Sequence, residues 1–446
     1  MSSWPKIIRD PIHDIVPFED NRCDRLLLDL INTREFQRLR RIKQLGMSEL
    51  VFPGANHSRF AHSIGVMHNA RRFLNRLSKI HKPISENHQT AVLTASLLHD
   101  VGHGPFSHTF EKIITEEKHE ARTLAIIKDG STEVNKRLKE YSESFPDTLA
   151  TFFDEDIEEQ QSEVSMPPYL TQIVSSQLDA DRFDYLLRDS FTTGTDYGLF
   201  DAGWLIEHLY LDGEKNRLFL SHKGLMAAEA YVFARSRMYR TVYFHKTTRA
   251  AEVMLRLVFK RYKQLITNSS KRNLKKIVPN APPVVVSAFS GQLSLQDFLN
   301  LDDYTISEFL KCCNKADDYL LKTLGSGLMS RKLFKSVEAS EFDNTEVNNF
   351  ATEATTLLAK EKLDPDYSLV ADTPGDTPYK QYDPDDDKPA TQIYVKSTVG
   401  KIVELSEQSP AVKALTKKYK LLRYYFPSSL RGKIEEIARK TINKGS

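Results

Sequence analysis

The sequence has little cysteine, no long apolar run and almost no net charge, and each shortage excludes a class of protein. Three cysteines among 446 residues, Cys23, Cys312 and Cys313, can build neither a disulfide framework nor a four-thiolate zinc site. A reducing, cytoplasmic setting is the expectation that follows. No stretch of about 18 apolar residues occurs, so no membrane-spanning helix is expected. The opening Met-Ser-Ser-Trp-Pro-Lys-Ile-Ile lacks the apolar segment of a secretory leader. Lys and Arg total 62 against 60 Asp and Glu, a net charge of +2 that is too small for a generic duplex binder. A local basic pocket for a small polyanion remains open. The length asks for two or three domains, or one large helical core with appendages.

What is present is mostly helical periodicity. Leu28, Ile31, Phe36, Leu39, Ile42 and Leu45 predict a helix over 26–45. Gln37, Arg40 and Gln44 share a second stripe of it. Arg38, Arg40, Arg41 and Lys43 are expected on a solvated basic face. Helices are predicted over 60–77, over 88–98 with a stop at Gly102 and Gly104-Pro105, and within 105–128. An acidic surface excursion is expected over 129–165, and helices over 168–189 and 224–266. Leu209–Asp212 and Arg217–Ser221 flank a Gly-Glu-Lys-Asn turn and predict a hairpin. Beyond it the pattern predicts a strand within 279–290, helices over 292–360, a long loop over 363–389, a strand at Ile393-Tyr-Val-Lys and a closing helical segment over 410–440. The fold class is therefore mainly α, with a small hairpin. Residues 1–270 are expected to form one helical domain, and 271–446 a mixed α/β lobe suited to oligomerisation or regulation.

The chemistry concentrates around His99-Asp100, at the end of an apolar helix and before Val-Gly-His-Gly-Pro. An adjacent imidazole and carboxylate offer one divalent ion a neutral and an anionic ligand. His62, upstream, and Asp181, downstream, complete a set of two histidines and two carboxylates. Such a set suits Mn²⁺, Mg²⁺, Fe²⁺ or Zn²⁺. His103, His108 and His119-Glu120 crowd further imidazoles within about twenty residues, although the chain has only 13 histidines. Imidazoles beside a metal suit proton transfer near neutral pH. Glu111 can share a helical face with His108 and orient it. Asp181, Tyr185 and Asp189 line one helical face, and Arg235, Tyr239 and Tyr243 line another. Beside a metal the second stripe suits phosphate contact by the arginine, with phenols around a sugar or base.

Together these residues resemble the HD superfamily, whose signature is H…HD…D, and more specifically its deoxynucleoside triphosphate (dNTP) triphosphohydrolases. The strings that carry the resemblance are Asp10-Pro-Ile-His13, Phe36-Gln-Arg-Leu-Arg40, Lys43-Gln-Leu-Gly46, Val51-Phe-Pro-Gly-Ala55, His99-Asp-Val-Gly-His-Gly-Pro-Phe-Ser-His108 and Asp181-Arg-Phe-Asp-Tyr185. It spans roughly residues 6–260. The resemblance implies that His62, His99, Asp100 and Asp181 hold the metal. It implies that His108 protonates the departing 5′ oxygen with support from Glu111, and that His119 and Glu120 lie near the attacking water. Arg59, His103, Arg182, Tyr185 and Arg235 would bind the triphosphate, with Tyr239 in the roof of the site. Gln44 and Asp189 would hold the 3′-hydroxyl, while Leu45 and Tyr243 crowd the 2′ position. Asn32, Gln37 and Arg40 fall at a regulatory nucleotide site, and a homo-oligomer, dimer or tetramer, is implied with it. Asn32 departs from the acid that nucleotide-activated members carry there, and Tyr239 stands where another member has histidine.

Two other readings compete. One is an HD phosphohydrolase acting on a ribonucleotide, a nucleoside monophosphate or an alarmone, because the metal signature is shared across substrates. The other is a binding or scaffold role on single-stranded nucleic acid, which the near-neutral charge disfavours.

Overall fold

The computed structural model describes residues 4–114, 117–153, 166–268, 274–380, 391–417 and 419–445. The side chain of His108 and the acidic run 154–159 lie outside that description. Most of what is described is helical, as the periodicity demands. Among the described residues no helix is long and apolar enough to cross a membrane.

The chain opens with an antiparallel hairpin, Lys6–Asp10 against Asp14–Phe18. The stretch 26–45 is broken where one helix is expected. A helix Arg22–Ile31 ends at Asn32, Thr33 is extended and caps a short helix Arg34–Arg38, and a single 3₁₀ turn Leu39–Arg41 follows. The break lets Phe36, Leu39 and Ile42 all reach the core. Arg38 does not sit on a solvated face: it is buried, donates to the Leu301 carbonyl at 2.8 Å and lies over the Phe298 ring.

Two long helices form the centre. Arg59–Ile80 carries His62, and Glu86–Leu98, capped by the Ser85 hydroxyl, delivers His99-Asp100 at its end. Ala180–Thr193, capped by Asp179, packs against the first of these and carries Asp181. Pro168–Val174 is separate from it because residues 175–179 leave helical geometry. The region 129–165 is less of an excursion than expected, since Glu133–Tyr141 and Phe145–Ala150 are helices with buried faces. The stretch 224–266 forms two helices, Leu225–Met238 and Lys246–Thr267, joined by a π-helical turn, Tyr239–Tyr243. There the Phe244 amide reaches back five residues to the Tyr239 carbonyl at 2.8 Å.

The expected hairpin is present as Leu209–Asp212 with Arg217–Leu220, but it is half of a four-stranded sheet. Leu220 pairs in parallel with Val395 of the strand Tyr394–Lys396, which pairs with Ile402–Glu404. A second sheet joins Lys335–Glu338, Arg423–Phe426 and Val370–Asp372, the last of these inside the expected loop 363–389. Arg423–Phe426 likewise interrupts the closing helical segment, whose last helix is Arg431–Gly445. The strand expected within 279–290 is a helix, Pro283–Phe289. Pro282 and Pro283 start it, and Val285, Ala288 and Phe289 are buried at helical spacing despite the β-branched run. One apolar core runs from Val16 to Tyr425, with a small satellite around Phe350, Phe426 and Ile434.

Candidate active site

His62, His99, Asp100 and Asp181 converge. His62 Nε2 lies 3.0 Å from Asp181 Oδ1 and 3.8 Å from Asp100 Oδ2. His99 Nε2 lies 3.3 Å from Asp100 Oδ1 and 3.7 Å from Asp181 Oδ1. Each imidazole has its other nitrogen anchored. His99 Nδ1 meets the Ser96 carbonyl at 2.8 Å, and His62 Nδ1 meets Asp184 Oδ2 at 2.8 Å. His99 Nε2 is buried without a hydrogen-bond partner. A buried, unsatisfied nitrogen facing two carboxylates is what a metal-binding imidazole looks like when its other nitrogen fixes the ring. His62, His99 and Asp100 are therefore able to hold a divalent cation, with the Asp181 carboxylate beside His62.

Electrostatics fit the same use. Burial would raise Asp100, but Arg59, His99 and His103 outweigh it and hold the carboxyl well below its usual range. Burial lowers His62, yet its bonds to Asp181 and Asp184 prevail and carry it up to about 10. A proton thus sits where a cation would otherwise balance the two aspartates.

Behind His62 lies a buried network. Asp184 Oδ1 meets His13 Nε2 at 2.7 Å and Arg188 Nη2 at 2.8 Å, and Arg188 Nη1 donates to Asp10 Oδ2 at 2.8 Å. Asp10 also accepts the Ile12 and His13 amides, which fixes the turn after the first strand. Gly65 makes room for this network: a Cβ there would come within 1.8 Å of Asp184 Oδ1. Sequence reading missed Asp184 and Arg188 as functional positions. Their signal was the spacing of four on a helix already carrying Asp181.

The second histidine group stands next to the first. His103 Nε2 is 3.2 Å from Asp100 Oδ1, and His103 Nδ1 is 2.9 Å from Glu111 Oε1. His119 stacks on His103 at 3.8 Å between ring centroids, and Glu120 lies 3.2 Å from His119 Nδ1. Burial first and then the neighbouring His103 push His119 down to about 3, so it is neutral at physiological pH. Glu111 thus bonds His103, a contact that spacing alone had not suggested.

A pocket of about 350 Å³ is linked to the cluster by Arg59, which lines it and donates to Asp100. Gln44, Leu45, Arg59, Tyr185, Asp189, Tyr239 and Tyr243 all line it. Asp189 is held at its wall by the Tyr243 hydroxyl, which donates at 2.7 Å, and by His57 Nε2 at 2.7 Å. Arg59 bridges Asp100, at 2.5 Å, and the Ser107 hydroxyl. The π-helical turn swings Tyr239 and Tyr243 into the pocket, and their rings meet edge to face. Arg249, Glu252 and Arg256 form a charged end that sequence reading missed; Asp372 accepts from both arginines, at 2.7 and 2.9 Å.

Arg182 and Arg235 are not among the pocket-lining residues. Arg182 is ion-paired with Asp179. Arg235 is buried over the Tyr239 ring and donates to the Thr377 and Pro378 carbonyls. Gln37 and Arg40 do meet, with Arg40 Nε on Gln37 Oε1 at 2.8 Å and its guanidinium over Phe60. Asn32 is exposed and its amide donates to the Leu28 carbonyl.

A helical core that gathers two histidines and two aspartates from three helices beside a polar pocket defines an HD-type metal phosphohydrolase. The HD domain family matches residues 59–189 and an HD associated region matches 200–278, and the chain belongs to the HD superfamily. It is 37% identical to Bacillus subtilis YwfO over 429 residues, covering 96% of this chain and 93% of that protein. It is 31% identical over 278 residues to the Dictyostelium discoideum homolog of the deoxynucleoside triphosphate triphosphohydrolase SAMHD1, covering 60% of this chain and 51% of that protein. A phosphohydrolase from Bacteroides thetaiotaomicron has a similar structure, with a TM-score of 0.77 and 29% identity over 95% of this chain and all of that one.

Proposed function

We propose that the protein hydrolyses deoxynucleoside triphosphates to a deoxynucleoside and inorganic triphosphate. The observation that carries this reading is the Asp189–Tyr243 pair, set at 2.7 Å in the wall of a pocket that opens beside the His62, His99, Asp100 and Asp181 cluster. A carboxylate there accepts a sugar 3′-hydroxyl, with Gln44 as second partner. The Tyr243 ring and Leu45 close the 2′ side and offer a ribose 2′-hydroxyl no partner. The similarity to the Dictyostelium SAMHD1 homolog supports the same substrate class.

His62, His99, Asp100 and Asp181 hold the divalent ion, with Mn²⁺, Mg²⁺, Fe²⁺ or Zn²⁺ all compatible with the donor set. Bound there, it supplies charge neutralisation at the α-phosphate. The remaining steps belong to side chains. Arg59, Tyr185 and His103 orient the phosphates, and Arg182 and Arg235 take the tail once they exchange their present partners for it. His119 and Glu120 lie near the attacking water, and the Glu120 carboxylate takes its proton. His108 delivers one to the 5′ oxygen as it leaves. Asn32, Gln37 and Arg40 receive a nucleotide activator, and the active form is a homo-oligomer, dimer or tetramer.

The test incubates the purified protein with each dNTP and each ribonucleoside triphosphate, with Mn²⁺ or Mg²⁺, singly and in mixtures. Chromatography should find inorganic triphosphate from the dNTPs, abolished by His99→Ala. Release of pyrophosphate or orthophosphate instead would overturn the reading and the role of His108.

A further inference from the structure

Asp303 lies beyond both family matches, which end at residue 278. It opens the helix Asp303–Cys313, is 3% exposed, and lines no part of the pocket. Its carboxylate nevertheless reaches the backbone of two active-site loops. Oδ1 accepts the Phe106 amide at 2.8 Å, and Oδ2 accepts the Lys43 amide at 2.9 Å.

The first loop is strained. Phe106 and Ser107 have φ of 50° and 47°, two successive left-handed residues without a glycine. Each is a strained conformation that persists only where its surroundings hold it. This turn aims the Ser107 hydroxyl at Arg59, whose guanidinium donates to it at 2.8 Å and to Asp100 at 2.5 Å. It also starts the helix His108–Ile114 that carries Glu111.

The second loop lines the same pocket through Gln44 and Leu45. Lys43 pairs with Ser58 in an isolated bridge, and the Gln44 amide donates to the His57 carbonyl at 3.0 Å. That register delivers Gln44 and Leu45 to the pocket, and His57 to Asp189. The segment bearing Asp303 is docked firmly, because Arg41 pairs with Asp302 at 2.5 Å and Arg38 donates to the Leu301 carbonyl at 2.8 Å.

We infer that Asp303 is a positioning residue, a carboxylate clamp from the carboxy-terminal lobe that fixes the spacing between the phosphate-side loop 106–108 and the sugar-side loop 43–45. Its kinetic consequence rests on the hydrolysis proposed above; the clamp itself does not. An asparagine keeps one acceptor and turns an amide N–H toward the other backbone N–H, so Asp303→Asn should release one loop.

The experiment compares the wild-type chain with Asp303→Asn and Asp303→Ala by three measurements. Amide hydrogen exchange at Phe106 or Lys43 should accelerate about tenfold or more, the equivalent of one lost hydrogen bond, while the helix Arg59–Ile80 keeps its protection. Mn²⁺ affinity should stay within about twofold, since Asp303 touches no metal-cluster side chain. The kcat on dNTPs should fall about 10- to 100-fold with a smaller change in KM, as expected when reacting groups are displaced by about 1 Å. Unchanged exchange at both amides overturns the clamp, as does loss of protection throughout the chain together with loss of Mn²⁺ binding. If the wild-type protein hydrolyses no dNTP, the functional reading fails, and exchange at Phe106 and Lys43 still decides whether the clamp exists.

Discussion

Asp184 Oδ2 and His62 Nδ1 meet at 2.8 Å in a place fully closed to solvent, and through that contact a residue outside the metal cluster sets the direction of one inside it. Removing the carboxylate frees the ring to rotate and leaves Arg188 with a buried, half-paired charge. Asp184→Asn should lower divalent-metal affinity about 10- to 100-fold, as measured by calorimetric titration with Mn²⁺. Wild-type affinity in that variant would show the network to be structural alone.

Gly65 is a steric test of the same network. An added methyl would overlap Asp184 Oδ1 and approach Arg188 Nη2 to 2.5 Å, and both side chains are buried and paired to each other. Gly65→Ala should cost about 1–3 kcal/mol of stability by denaturant melting, and weaken Mn²⁺ binding with it. A stable variant with intact metal binding would contradict this.

The metal cluster should make the metal-free protein sensitive to alkaline pH. His62 is carried up to about 10 from an unfolded value near 6.5. A raised histidine stabilises the fold fully below the unfolded value, and that contribution is lost as pH rises through the folded one. In EDTA, denaturant stability should therefore decline between about pH 6.5 and 10. Metal binding should expel the same proton, so Mn²⁺ affinity should rise over that interval. Calorimetry in buffers of different ionisation enthalpy would count the released proton, and a count of zero would exclude this coupling.

Sugar selection should reside in two side chains. Leu45→Ala opens the 2′ side, and Tyr243→Ala removes the ring that closes it. Either should relax discrimination against ribonucleoside triphosphates by about 10-fold or more, read as the ratio of kcat/KM for matched pairs. An unchanged ratio in both variants would favour a ribonucleotide or other nucleotide substrate.

The residues that converge, His62, His99, Asp100 and Asp181, were legible in the sequence because they sit in compact strings: His99-Asp100 at a helix end, and His62 and Asp181 each in the first turn of a helix. The pocket was legible where stripes of four recur, as in Tyr185 and Asp189. What escaped were contacts made across the fold. Nothing local marks Arg38 as buried, because its partners Phe298 and Leu301 are more than 250 residues away. Asp372 and Asp303 reach the pocket region from the carboxy-terminal part of the chain, where sequence patterns were weakest. The helix Pro283–Phe289 was read as a strand from its valines, although the burial of Val285, Ala288 and Phe289 follows a helical period.

The turn Tyr239–Tyr243 carries one more residue than an ordinary helical turn needs. Deleting a residue there would let the two flanking helices fuse into a regular α-helix, a gain in local hydrogen bonding. It would also rotate everything after it by about 100°, the angle of one residue in an α-helix. Thr248, Arg249, Glu252 and Arg256 would then swing away from the pocket they line. Natural or engineered relatives that keep this cavity should therefore never vary in the length of the turn, and a shortened version should fold yet bind nothing.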